Sequence, residues 1–153
     1  MKKFGALSRG TKLVLVAGPV LFLSLFFNWQ MLRVDYGPSG VAKMPQDGWD
    51  AWGLLIGLLV IATVTLVVLR RLTSVEMADD VPWETITLGL GVTAFGIAVL
   101  KSLTDADSTW LSYAFVAVAG VLAAGTYLVR AEMREDGGNP LLRRKSREVR
   151  PTA

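Results

Sequence analysis

The sequence predicts an all-α integral membrane protein, a four-helix bundle in which every helix crosses the bilayer, both termini are cytoplasmic and the first outer loop has room for a short β-hairpin. Three observations lead there. Of 153 residues, 52% are hydrophobic and 19% charged, against about 25% charged in an ordinary soluble domain. The apolar residues fall into four long blocks, and the mean hydropathy is +0.46. Lysine and arginine also alternate in density from one inter-block segment to the next.

A spanning helix needs about 20 mostly apolar residues to cross the roughly 30 Å hydrocarbon core. The first candidate, 13–32, contains no charged residue. Lys2, Lys3, Arg9 and Lys12 precede it, as they would a secretory signal, but the run passes through Pro19 to Phe27 with no small-x-small cleavage site after it. It reads as a retained first span that also directs insertion. In 33–50, Leu32-Arg33-Val34-Asp35-Tyr36 alternates apolar and polar, Gly37-Pro38-Ser39-Gly40 is a turn cluster, and Val41 to Met44 can return. A hairpin and an irregular loop both fit this segment. Asp47 or Asp50 can cap the second span, 51–69. Asp79, Asp80, Pro82 and Glu84 mark the entry to the third, 85–103, by helix-dipole and first-turn preferences. The short turn 104–109 makes the third and fourth spans antiparallel neighbours, with Asp107 or Ser108 as cap for 110–129. The last helix continues in charged form to Asp136, completing a transmembrane domain over 1–136. Gly137, Gly138 and Pro140 stop it, and 137–153 is read as a disordered basic tail.

Orientation follows from the basic residues. Lys2, Lys3, Arg9, Lys12, Arg70, Arg71, Arg130, Arg134, Arg143, Arg144, Lys145, Arg147 and Arg150 fall on one side. Only Arg33, Lys43 and Lys101 fall on the other. The richer side is assigned to the cytoplasm of a cell membrane. Trp29, Trp49, Trp52 and Trp110 lie at outer ends of spans and Trp83 at an inner end, the pattern of an interfacial aromatic belt.

Cysteine and histidine are both absent, which excludes disulfides, thiol chemistry and histidine acid–base catalysis or metal ligation. No ionisable residue lies within 13–32, 51–69, 85–100 or 110–129, so proton relays and voltage sensing lack their usual carriers. Ser24 and Asn28, one helical turn apart, are candidates for interhelical hydrogen bonds. Phosphate-loop, HExxH, GxSxG and EF-hand patterns do not occur. Asp35, Asp47, Asp50, Asp105 and Asp107 share the outer side, but ordinary caps account for them without a divalent cation. No catalytic, cofactor or metal site is therefore expected.

Small residues at helical spacing are the more informative pattern. Gly53 and Gly57 form a GxxxG; Thr85, Gly89, Thr93 and Gly96 line one face of the third span; Ala117, Gly120 and Ala124, flanked by Tyr113 and Tyr127, line one face of the fourth. In lipid, close backbone approach at such residues supplies packing energy, within the monomer or between copies. Arg143, Arg144, Lys145, Arg147 and Arg150 sit where they can attract anionic lipid headgroups, besides serving orientation. Ser146 among them is a candidate phosphate acceptor. Nucleic acid is not expected as a partner, because no aromatic or structured reader accompanies these charges.

The basic start, the Phe26-Phe27-Asn28-Trp29 end of the first block, the Gly48-Trp49-Asp50-Ala51-Trp52-Gly53 entry to the second and the basic tail together resemble small four-span bacterial membrane proteins of the actinobacterial type. The resemblance implies the architecture and no activity. The layout is also superficially similar to the claudin shape, but the paired loop cysteines of that family are missing. The expected role is a non-enzymatic accessory, scaffold or assembly component acting through helix and lipid contacts, alone, as a homo-oligomer or in a larger membrane complex. The alternative is a small oligomeric channel or transporter.

Overall fold

Ser8 opens the first helix, α1 (Arg9–Ser24), by accepting the amide N–H of Thr11 at 3.3 Å, which satisfies a donor that has no partner inside the helix. A computed structural model describes residues 7–73, 81–104 and 108–138. After α1 come β1 (Asn28–Asp35), β2 (Val41–Asp47), α2 (Ala51–Leu72), α3 (Trp83–Thr104) and α4 (Trp110–Gly138). The fold is mainly helical, with one antiparallel two-stranded hairpin.

The first block behaves differently from the expected span over 13–32. Leu25, Phe26 and Phe27 donate their amides to Phe22, Leu23 and Ser24 at 3.0–3.2 Å, a tightening that ends the helix, and Asn28 already belongs to β1. Hydropathy could not register the change, because Trp29, Met31 and Leu32 are as apolar in a strand as in a helix. With 16 residues, α1 is about 24 Å long at ~1.5 Å per residue. Among the described residues, three helical segments are long and apolar enough to cross a membrane: Ala51–Leu72, Trp83–Thr104 and Trp110–Glu132.

The hairpin pairs Leu32 with Met44, Arg33 with Lys43 and Asp35 with Val41, and its register shifts between Asn28 and Gln30. A 3-10 turn over Gly37–Ser39 makes the tip. Gly37 (φ 63°) and Gly40 (φ 100°) occupy conformations that side-chain-bearing residues rarely adopt. Pro45 sits in β2, an edge position where its missing N–H is tolerated.

The helices form a closed ring in which α1 packs on α2 and α4, and α3 packs on the same two. Neighbours are antiparallel: Gly10 of α1 meets Gly125 and Val129 of α4, whereas Leu25 just beyond α1 meets Gly57 of α2. The core runs through Val14, Ala17, Leu21, Ile56, Val60, Ala98, Ala119 and Leu122. Three buried threonines are satisfied by their own helices: Thr63 donates to Leu59 O, Thr87 to Trp83 O and Thr126 to Ala123 O, all at 2.7–2.8 Å. Ser24 likewise donates to Leu21 O rather than bridging helices with Asn28. The buried Ser102 and Ser112 hydroxyls meet across α3 and α4 at 3.4 Å. The outward surface is apolar on every helix, with Val16, Val20, Leu23, Leu54, Leu58, Ile61, Val92, Leu100, Val121 and Leu128 all exposed.

Within the monomer, the small-residue stripes expected on α3 and α4 do not face the neighbouring helices. Thr85, Gly89, Thr93 and Gly96 are all exposed, and a Cβ at Gly89 or Gly96 would meet no described atom within 4 Å. The packed face of α3 instead carries Thr87, Gly91, Ala94 and Ala98. On α4, Ala117 and Ala124 are exposed and Gly120 half-buried, its missing Cβ 3.4 Å from the Phe95 ring. The close approach is one position along, at Gly125, which faces Leu13 and Val14. A periodicity of small residues marks a face without saying whether protein or solvent meets it. On α2, Gly53 and Gly57 are buried.

These contacts rank the glycines. Gly10→Ala would put a Cβ 2.6 Å from the Val129 backbone nitrogen, and Gly53→Ala 1.5 Å from the Gly48 carbonyl oxygen. Each should destabilise the detergent-purified protein by about 1–3 kcal/mol or more through overcrowding. Gly89→Ala and Gly96→Ala should leave stability unchanged or raise it by up to about 1 kcal/mol, the helix-propensity gain. Thermal unfolding in one detergent compares the four.

Candidate functional site: a buried ion pair beneath a tryptophan lid

Asp50 stands at the N-cap of α2, where its Oδ1 accepts the Gly53 amide at 2.7 Å. Its other oxygen, Oδ2, receives the Nζ of Lys101, one turn before the end of α3. Antiparallel packing dictates the meeting, since the start of α2 and the end of α3 lie at the same end of the bundle. It also supports both charges. The N-terminus of a helix favours an anion and the C-terminus a cation. Lys101 is completely buried, at 0% exposure, while the Asp50 side chain keeps 22%.

Trp29 closes this end. It is itself 0% exposed, its indole N–H donates to Ser24 O at 2.9 Å, and its ring stacks on Phe115 at 5.6 Å. The Lys101 ammonium lies 5.8 Å from the indole centroid, within cation–π range. Both flanks of the Trp29 segment are fastened. The Gly48 amide donates to Leu25 O at 2.8 Å on one side, and a Cβ at Gly48 would be 2.9 Å from the indole. On the other, the Thr109 amide donates to Trp29 O at 3.1 Å and its hydroxyl to Asn28 O at 2.8 Å. Ser108, bridged to Gln30, gives its hydroxyl to Ser102 O at 2.8 Å.

The assignments of Lys101 and Trp29 therefore change. Lys101 is a core residue, not a flanking charge, and Trp29 is a lid, not a member of an interfacial belt. Trp52 and Trp110, at 46% and 75% exposure, do face outward. Trp49 is half-buried, edge-on to Phe22 and Phe26 at 5.7 and 5.2 Å. The pairing of Lys101 with Asp50 has no local sequence signature because 51 positions separate them. The available clue was a lysine ending one apolar block and an aspartate opening the one before.

Elsewhere the remaining polar residues noted in the sequence lie apart from one another. Asp35 caps the hairpin turn through the Gly37 amide at 2.8 Å, and Asp47 accepts the Trp49 amide at 3.1 Å. Asp105 and Asp107 lie outside the described residues, among which no cluster of three potential metal ligands occurs. Arg143, Arg144, Lys145, Ser146, Arg147 and Arg150 also lie outside them. At the opposite end of the bundle Arg70 Nη1 and Glu84 Oε1 are 3.9 Å apart. A lateral apolar cavity of about 240 Å³ between α1 and α2 is lined by Gly18, Pro19, Phe22, Val60, Ile61, Val64 and Thr65. Compared with family models, curated proteins and solved structures, the chain matches none.

The geometry makes this end a clamp. One charge pair joins α2 to α3, and one indole joins α1, the hairpin and α4 over it. Trp29→Ala should lower stability by about 3–5 kcal/mol, the range for deleting a buried large aromatic. Trp29→Phe, which keeps ring stacking but drops the N–H to Ser24, should cost less. Chemical denaturation in detergent micelles, followed by far-UV circular dichroism, checks the order.

Proposed function

We propose that the chain is a multi-pass membrane protein whose four helices all cross the bilayer with both ends in the cytoplasm. We further propose that it works as a non-enzymatic accessory, scaffold or assembly component of the cell membrane. The observation that supports this best is the apolar surface on all four helices combined with the buried Thr63, Thr87 and Thr126 hydroxyls satisfied inside their own helices. That is the arrangement lipid demands, since hydrocarbon offers no hydrogen bonds to stray polar groups. In this reading α1 crosses with a short helix, and the Trp29 lid and hairpin base complete the outer leaflet above it. The thirteen-to-three division of basic residues supports cytoplasmic ends and an outward hairpin. The exposed helix surfaces are then where lipid and partner helices meet the protein. A small oligomeric channel is the rival role. It fits less well with a bundle axis filled by Leu21, Ile56, Ala98 and Leu122 and closed at one end by the Lys101–Asp50 pair.

The absence of cysteine makes single-cysteine labelling clean. In intact cells, Pro38→Cys at the hairpin tip should react with a membrane-impermeant maleimide, and Ser8→Cys only after permeabilisation. Reaction of Ser8→Cys in intact cells would overturn the orientation. In reconstituted liposomes the protein should give no selective ion flux above empty vesicles, whereas robust selective conductance would favour the channel. Purification in mild detergent should bring down other membrane proteins.

A further inference from the structure

The stretch where α4 leaves the apolar surface holds a feature that the clamp and the helix packing do not use. Tyr127, Arg130, Ala131 and Arg134 line a cavity of about 300 Å³, and their three- and four-residue spacing places them on one helix face. The cavity between α1 and α4, by contrast, is lined by aliphatic side chains alone. Glu132, an acid in the same stretch, points elsewhere: its Oε1 accepts the Gly10 amide of α1 at 3.3 Å. It does not neutralise the arginine pair.

Depth and chemistry select the ligand. Val129 is the last core residue of α4 among those described, so Arg130 and Arg134 begin where burial ends. Below them the exposed surface continues through Tyr127, Ala124 and Val121. A ligand here meets two planar guanidinium forks, each suited to bidentate contact with phosphate oxygens. It also meets a phenol at the boundary and an apolar strip on the membrane side. We propose that this cavity binds the phosphate of an anionic phospholipid in the cytoplasmic leaflet. Arg130 and Arg134 hold the phosphate, the Tyr127 hydroxyl donates from the membrane side, and an acyl chain runs along Ala124 and Val121. The strip favours a lipid over free phosphate, which would gain nothing from it. The inference rests on the membrane reading above and adds a defined site on folded helix, apart from the tail arginines.

The test uses the full chain reconstituted into vesicles of phosphatidylcholine with and without phosphatidylglycerol. Flotation reports membrane association, and native mass spectrometry after detergent extraction reports the lipid retained. The wild type should float with both vesicles and retain phosphatidylglycerol over phosphatidylcholine by roughly tenfold, as two interfacial arginines allow. The Arg130→Gln/Arg134→Gln double variant should float equally and lose that preference, while Arg143→Gln/Arg144→Gln keeps it. Inorganic phosphate should not displace the lipid. Should the glutamine variant aggregate, Arg130→Lys/Arg134→Lys keeps the charge without the forks and should lose the preference several-fold. Unchanged preference in the α4 variants, loss in the tail variant alone, or displacement by inorganic phosphate would each overturn the proposal. Failure of the wild type to float with either vesicle would instead remove the membrane reading beneath it.

Discussion

The Lys101 ammonium lies between the Asp50 carboxylate and the face of Trp29, away from solvent, and the hairpin end of the bundle is organised around that placement. A buried cation is costly to take out of water unless a counter-charge and further polar contacts balance it. Here the counter-charge is itself fixed by a helix cap, because Asp50 holds the Gly53 amide with its other oxygen. Both groups sit at the helix ends whose dipoles favour them. The pair therefore ties the register of α3 to the first turn of α2. Trp29 then needs its strand segment pinned at Gly48 and Thr109, which fixes where the hairpin leaves the helices.

The opposite half of the bundle depends on a different constraint. In the membrane setting proposed above, apolar side chains gain little by moving from lipid into a protein interior, so helix association would rely on shape and close approach. The tight contacts follow this: Gly10 against the backbone of α4, Gly18 against Val64, and Gly91 against Thr126. In each case the space a Cβ would fill is already occupied by the neighbouring helix. Polar contacts between helices lie at its rim, where the Gly10 amide donates to Glu132 and Arg70 approaches Glu84, while its threonines bond within their own helices.

What the sequence disclosed depended on the range of each signal. Hydropathy runs and caps are local, so α2, α3 and α4, the turn cluster at Gly37 and an aspartate cap at Asp47 or Asp50 were readable from neighbouring residues. The end of α1 was not, because Leu25, Phe26, Phe27, Trp29, Met31 and Leu32 are apolar in either conformation, and the bonds that hold the segment after it come from the distant Gly48 and Thr109. The small-residue stripes of α3 and α4 did not mark the faces that pack within the monomer, for a related reason. Both the Thr85–Gly89–Thr93–Gly96 face and the Thr87–Gly91–Ala94–Ala98 face of α3 are regular, and only a partner helix distinguishes them. Lys101 was legible as a charge but not as a buried one, since the groups it meets, Asp50 and Trp29, come from distant stretches of the chain.

A double-mutant cycle at the ion pair tests the organising role of the clamp most directly. Asp50→Asn retains an oxygen for the Gly53 amide, and Lys101→Met retains much of the side-chain volume. If the pair is the organising contact, each single change removes the counter-charge of a buried or half-buried group and should cost about 3–5 kcal/mol. The double variant should then be clearly more stable than the sum of the two losses predicts, with a coupling on the order of 1–3 kcal/mol. Additive losses in the double variant would mean that Lys101 and Asp50 act independently and that the hairpin end is held by Trp29 packing alone.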